Sequence, residues 1–394
     1  MQSMLAVIDR FSLAHDPVFH RLQQRLGWLG ERANSAKRRA VLLVGLAWGV
    51  PLLLTLFDGR AWGAAETSPF LLDWIAWAQY AVGIGVLTMM VRVVDGQLRR
   101  HLRQFVRAPL LAPAAMIPAA AAVERALARA QSPYAAAVCA VLACVASVAG
   151  GWLLQLRTRD TWMLVETTAE PTLSIAGWWC ILISGPIFWF LLLRWLWRHA
   201  AWALLLHDLA RLELRLVVSH PDGVGGVGFV GQYPNAFATL VFAMTALLAA
   251  VIARGFQADV LTLAVYGQIM AGWLTLMISL FALPLAAFAW PLRRLKQETL
   301  LAASARATRH FRAAERATLG GNVVAAADAS ETTIAEVANP QAHYTAALKL
   351  GMLPFDRTAI VPLGAAALLP LVAAGATRLP FQELWTIARK LLLL

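Results

Sequence analysis

Residues 219–231, SHPDGVGGVGFVG, hold the densest set of side chains and glycines with chemical potential. Gly226-x-Gly228-x-x-Gly231 has the spacing of a dinucleotide fingerprint. That fingerprint works only after a strand, ahead of a soluble helix, with an acid about 20 residues further on. Here a long apolar run follows and the next acid is Asp259, so no nucleotide is expected. His220 and Asp222 are weak candidates for metal ligands, but no zinc-type spacing accompanies them. A structural turn fits better: Pro221 and Gly223 stop a helix, and Gly226, Gly228 and Gly231 let the backbone turn tightly.

A second polar group lies just upstream: Arg194, Arg198, His199, His207 and Asp208, with His220. A lipid-modifying enzyme would need these residues to converge. Arg194 and Arg198 sit four apart, about 40° around a helix. With Trp195 and Trp197 beside them, they are expected to hold anionic headgroups. A helix expected over residues 194–218 puts Arg211 and Arg215 on another face, with Asp208 three residues from Arg211 and able to pair with it. Cys139, Cys144 and Cys180 all fall in apolar runs and read as small hydrophobes. No acid or histidine lies in the middle of a run, which argues against an ion-coupled carrier. No catalytic residue and no cofactor is expected.

The elements that must position these residues are set by composition. The 394 residues are 60% hydrophobic and 14% charged, and mean hydropathy is +0.63. This excludes a soluble enzyme and a disordered chain. The expected fold class is all-α: a polytopic helical membrane protein with about seven transmembrane helices. A bilayer needs roughly 20 apolar residues per helix. Qualifying runs are 40–57, 74–94, 135–156, 175–197, 235–253, 260–290 and 358–377. The seventh either crosses or dips in and returns. Pro51, Pro186, Pro284, Pro362 and Pro370 predict kinks within the runs, tolerated where neighbouring helices satisfy the freed carbonyls. Residues 108–123 carry Pro109, Pro113 and Pro118 and read as an interfacial or partly buried segment rather than a span.

Of the 34 Lys and Arg, 27 lie in alternate segments starting with the N-terminus and 7 in the others. The positive-inside rule therefore puts the N-terminus in the cytoplasm. The net charge of +12 is topological, and points to anionic phospholipids rather than nucleic acid. Four regions follow. Residues 1–39 form a cytoplasmic amphipathic segment. Residues 40–290 form a six-helix core with cytoplasmic loops 95–134 and 198–234. Residues 291–357 form a cytoplasmic helical region, broken at Gly320-Gly321. Residues 358–394 hold the last apolar segment and an interfacial helix with Phe381, Leu384, Trp385, Ala388 and Leu391 in one stripe. Gly83, Gly85, Gly150 and Gly151 are expected to allow close helix packing, and the tryptophans near 178 and 195–202 to mark the two interfaces.

WLWRHAAWALLLHDLARLELRLVVSHPDGVGGVGFVG resembles the signature of a family of uncharacterised bacterial multi-pass inner-membrane proteins. PFDRTAIVPLGAAALLPLV, from Pro354, is similar to that family's lead-in to its last apolar segment, and TRLPFQELWTIARKLLLL to its C-terminal helix. The family usually shows Asp-Ile-Gln-Ser-Leu-Ala-Asp-Leu before Pro-Phe-Asp, and this chain departs from it there. The resemblance implies architecture and a bacterial inner-membrane location, not chemistry. The expected role is an interaction, scaffold or sensor subunit, with a membrane-protein partner or a homo-oligomer. A passive channel or uncoupled permease is the alternative, and a lipid-modifying enzyme a further one.

Overall fold

Each apolar run folds as a helix because hydrocarbon offers backbone N–H and C=O groups no partner but one another. A computed structural model describes residues 2–13, 35–62, 68–157, 161–165, 172–326, 339–355 and 357–378. After α1 (Gln2–Asp9), the first rod, α2, runs Ser35–Val44, a π-helical turn Gly45–Gly49, and Val50–Phe57. α3 follows as Trp74–Ala76, π-helical Trp77–Gly83 and Ile84–Met89, and leads into amphipathic α4 (Val91–Arg107). α5 (Met116–Ala130) abuts α6 (Pro133–Arg157). α7 runs Ile175–Trp179, π-helical Cys180–Ser184 and Gly185–Ala210. Then come α8 (Ala238–Gln257), α9 (Leu263–Ala282), α10 (Ala289–Leu319), α11 (Gln341–Lys349) and α12 (Arg357–Gly375). Among the described residues the only strands are β1 (Leu164–Val165) and β2 (Thr172–Leu173), paired antiparallel. Among the described residues, six helices are long and apolar enough to cross a membrane, and α12 contains a shorter apolar helix. The chain is a helical, polytopic membrane protein.

Two of the prolines, Pro51 and Pro186, follow π turns, whereas Pro362 and Pro370 sit inside α12. Pro51 follows the π turn of α2, and the carbonyls it frees accept hydrogen bonds from α7: Ser184 Oγ donates to Ala47 O (2.7 Å), and Trp179 Nε1 to Leu46 O (3.0 Å). Pro186 follows the π turn of α7, and Ser147 Oγ of α6 donates to Ile181 O (2.6 Å). Proline removes a donor and clashes with the preceding turn, so the helix widens and a neighbour supplies the missing hydrogen. Pro284 instead gives a 3₁₀ stretch, Leu283–Phe288, where α9 passes into α10.

The expected extent of α7 is corrected. α7 ends at Ala210, not at Val218. Beyond it, Arg215 N–H donates to Leu110 O and Ala112 N–H to Glu213 O, a short antiparallel pairing that takes the backbone away from the helix. Arg211 and Arg215 therefore share no helix, and Asp208 pairs with Arg125 and Arg129 of α5 at 3.4 and 3.5 Å instead of Arg211. Residues 108–123, expected to be interfacial or partly buried, are partly buried and split into that extended pair, a 3₁₀ turn and the start of α5. The small residues Ala119, Ala122, Ala126 and Ala130 are buried, and α5 packs against α7 and α1.

α12 packs along α8 and α9. Just before it, Gly351 N–H donates to Gly223 O (2.8 Å). Just after it, Arg378 meets Asp259 (3.6 Å) in the turn between α8 and α9. α12 thus begins at the glycine-loop end of α8 and finishes at its far end. The stripe around Phe381–Leu391 lies outside the described residues.

Candidate functional site

The glycine loop is organised by one carboxylate. Asp222 Oδ1 accepts the N–H groups of Val224 and Gly226, each at 3.0 Å, and Oδ2 accepts Gly228 N–H at 2.8 Å. His220 Nδ1 lies 2.8 Å from Oδ1. Burial pushes this carboxyl up, but the three N–H donors and His220 outweigh it and hold it below the usual carboxylate range. Gly226 adopts φ 101°, a backbone state that L side chains avoid. Gly228 has no positive φ, but a Cβ there would stand 3.0 Å from Asp222 Oδ2. Pro221 opens the turn and Gly223 closes its tip with φ 68°; Gly231 is buried in the 3₁₀ stretch Gly228–Phe237. His220 and Asp222 bond to each other and to backbone. Among the described residues, no three His, Cys, Asp or Glu side chains are grouped so as to hold an ion.

The upstream polar group does not converge. Arg194 and Arg198 are only 2% and 7% exposed, so they do not reach headgroups from this fold. Packing explains it: α5 covers this face of α7, Arg194 Nη2 donates to Ala130 O (3.0 Å), and the Arg198 guanidinium lies 4.9 Å from the Trp195 ring. A desolvated cation over an indole is worth about 2 kcal/mol. Trp195 and Trp202 are fully buried rather than interfacial, and Trp195 Nε1 donates to Leu87 O (2.7 Å). His199 is buried too, its Nε2 3.2 Å from Leu280 O. His207 and His220 stay exposed. Asp95 of α4, also buried, accepts Ser12 Oγ and Leu13 N–H, tying the segment after α1 to the bundle.

The far end holds a site that sequence reasoning missed. Asp73 caps the first turn of α3 through Ile75 N–H (3.0 Å). Its Oδ2 accepts Trp162 Nε1 (2.9 Å) and lies 3.3 Å from Arg254 Nη2 of α8. This triad heads a cavity of 170 Å³ running down between α3, α6 and α7, past Gln79, Tyr80, Gly150, Cys180 and Trp189. The signals were present but weak: an Asp directly before an apolar run is an N-cap, and Arg254 is the single basic residue of its loop.

No protein family, curated protein or solved structure matches the chain. The likeness to the inner-membrane family therefore rests on its motif residues alone. Gly83 and Gly151 act as spacers, since a Cβ on either would collide with Phe188 or Ile181 of α7. Gly150 does not: it is exposed at the edge of the cavity, and a Cβ there meets nothing within 4 Å.

Proposed function

We propose that this chain is a non-catalytic subunit of a bacterial inner-membrane assembly, with its N-terminus, glycine loop and α10 in the cytoplasm. The observation that carries the reading is α10. It has 31 residues, of which only Leu292, Ala303 and Ala313 are buried; at 1.5 Å per residue it is about 46 Å long. Leu301, Phe311 and Leu319 are exposed on it. At 100° per residue, Leu301 and Leu319 coincide and Phe311 lies about 80° away, so three exposed apolar side chains stand on one side of the arm, among Thr308, Arg312 and Glu315. Large apolar side chains held in water within a polar surround suit the rim and anchors of a protein interface. The polar chemistry of the bundle supports the same reading. Asp73, Asp95 and Asp222 each spend their oxygens on backbone or side-chain donors of this chain, which leaves them holding the fold rather than moving protons. Anionic phospholipids are the surrounding partner implied by the basic cytoplasmic side.

The test is photo-crosslinking in cells from a benzophenone side chain at positions 301, 311 or 319, against position 276 on α9. The first three should each give the same discrete protein adduct, and 276 only lipid. Adducts that are absent or differ at random among the three would defeat the proposal.

A further inference from the structure

We infer that the far-end cavity binds one glycerophospholipid, its phosphate on Arg254 and part of one acyl chain between α3 and α6. This is independent of the partner reading, which concerns the opposite end of the molecule. Three observations point to a phospholipid. The first is charge. Arg254 lines the cavity, and its side chain is 29% exposed, whereas Asp73 is 6% exposed. Asp73 is committed to Ile75, Trp162 and the Nη2 edge of Arg254. It therefore acts as a positioning residue that holds the guanidinium fork at the cavity head, where the remaining N–H donors match a phosphate.

The second observation is depth. Trp62, Trp74, Trp152 and Trp178 are all more than half exposed at this end. Exposed indoles mark the headgroup level of a bilayer, and so place Arg254 where lipid phosphates lie. The third is shape. Away from the triad the lining is mainly apolar, with Ala76, Met163, Ile181 and Trp189 in it. The lip, made by Ile75, Gln79, Ala146 and Gly150, is half-buried or exposed. Because these residues sit within the spans, the cavity opens sideways onto the lipid face rather than upward to water. The π turns of α3 and α7 supply Gln79, Tyr80, Cys180 and Ile181 to the walls, consistent with the enrichment of such turns at binding sites.

Gly150 gives the test a variant that leaves the fold alone. Its added side chain enters open space at the lip of the cavity. The full chain in detergent would be titrated with phosphatidylethanolamine, with diacylglycerol of the same chains and with inorganic phosphate, and adducts counted by native mass spectrometry. One phosphatidylethanolamine adduct should persist, and neither other probe should bind comparably. Gly150→Leu should weaken it about tenfold, and so should Asp73→Asn with Arg254→Gln, which removes both charges together. Gly272→Leu, on α9 and equally free of contacts, should leave it unchanged. Unaltered binding in Gly150→Leu, or diacylglycerol binding as well as the phospholipid, would overturn the assignment.

Discussion

Asp222 does at the residue scale what a bound anion does elsewhere: it collects the N–H groups of a glycine turn. Replacing it with Ala strands three donors and should cost on the order of 2 kcal/mol. Asn keeps one acceptor oxygen and should cost less. Gly226→Ala should lose about 1 kcal/mol or more, from strain at φ 101°. Gly228→Ala works differently, by pushing on the Asp222 carboxylate, so its effect should shrink in an Asp222→Ala background. Thermal unfolding in a mild detergent reads all four. The folded carboxyl titrates below its unfolded value of about 3.9. Its contribution is therefore complete above that value and is lost as pH falls through the folded one. The gap in Tm between wild type and Asp222→Asn should narrow as pH falls below about 4. Of these residues the sequence disclosed the turn glycines and Pro221, but not the reason for them. Three N–H groups arriving on one carboxylate is a property of folded backbone, which spacing does not reveal.

At the scale of elements, the bundle is stitched where proline opens it. Ser184 Oγ supplies the hydrogen that Pro51 cannot, at Ala47 O. Buried side-chain bonds between membrane helices are worth about 0.6 kcal/mol on average, so Ser184→Ala should cost roughly that. Pro51→Ala restores an N–H to α2, and the penalty of Ser184→Ala should then fall toward zero. A double-mutant cycle on unfolding checks the coupling, and an unchanged penalty would show that Ser184 acts otherwise. Breaks in regular α-helix beside Pro51 and Pro186 were legible, because proline fixes φ and lacks a donor wherever it stands. The end of α7 was half legible. Residues 211–216, RLELRL, alternate polar and apolar with the period of a strand, but their partner Leu110–Ala112, a hundred residues earlier, cannot be found from spacing. The same gap explains Arg194 and Arg198. Their spacing and tryptophan neighbours suit a headgroup anchor, yet α5, whose first half reads as an interfacial or partly buried segment, covers them.

For the whole molecule, hydropathy was sufficient to give an all-α membrane fold, since long apolar runs admit few other structures. It left α12 open. Contacts at both its ends, Gly351 with Gly223 and Arg378 with Asp259, run it from the glycine-loop end to the far end. Reporter fusions after residues 225 and 315 should thus read cytoplasmic and one after 378 the opposite. A cytoplasmic signal at 378 would mean that α12 returns. The central claim, a subunit that carries its partner on α10, is tested most directly by the mass of the particle cut from the membrane with a polymer, without detergent. Wild type should appear as the 42.8 kDa chain with a second polypeptide in fixed ratio, and Phe311→Glu should lose that polypeptide. A closed ring of this chain alone, unchanged by Phe311→Glu, would contradict the account and favour a pore.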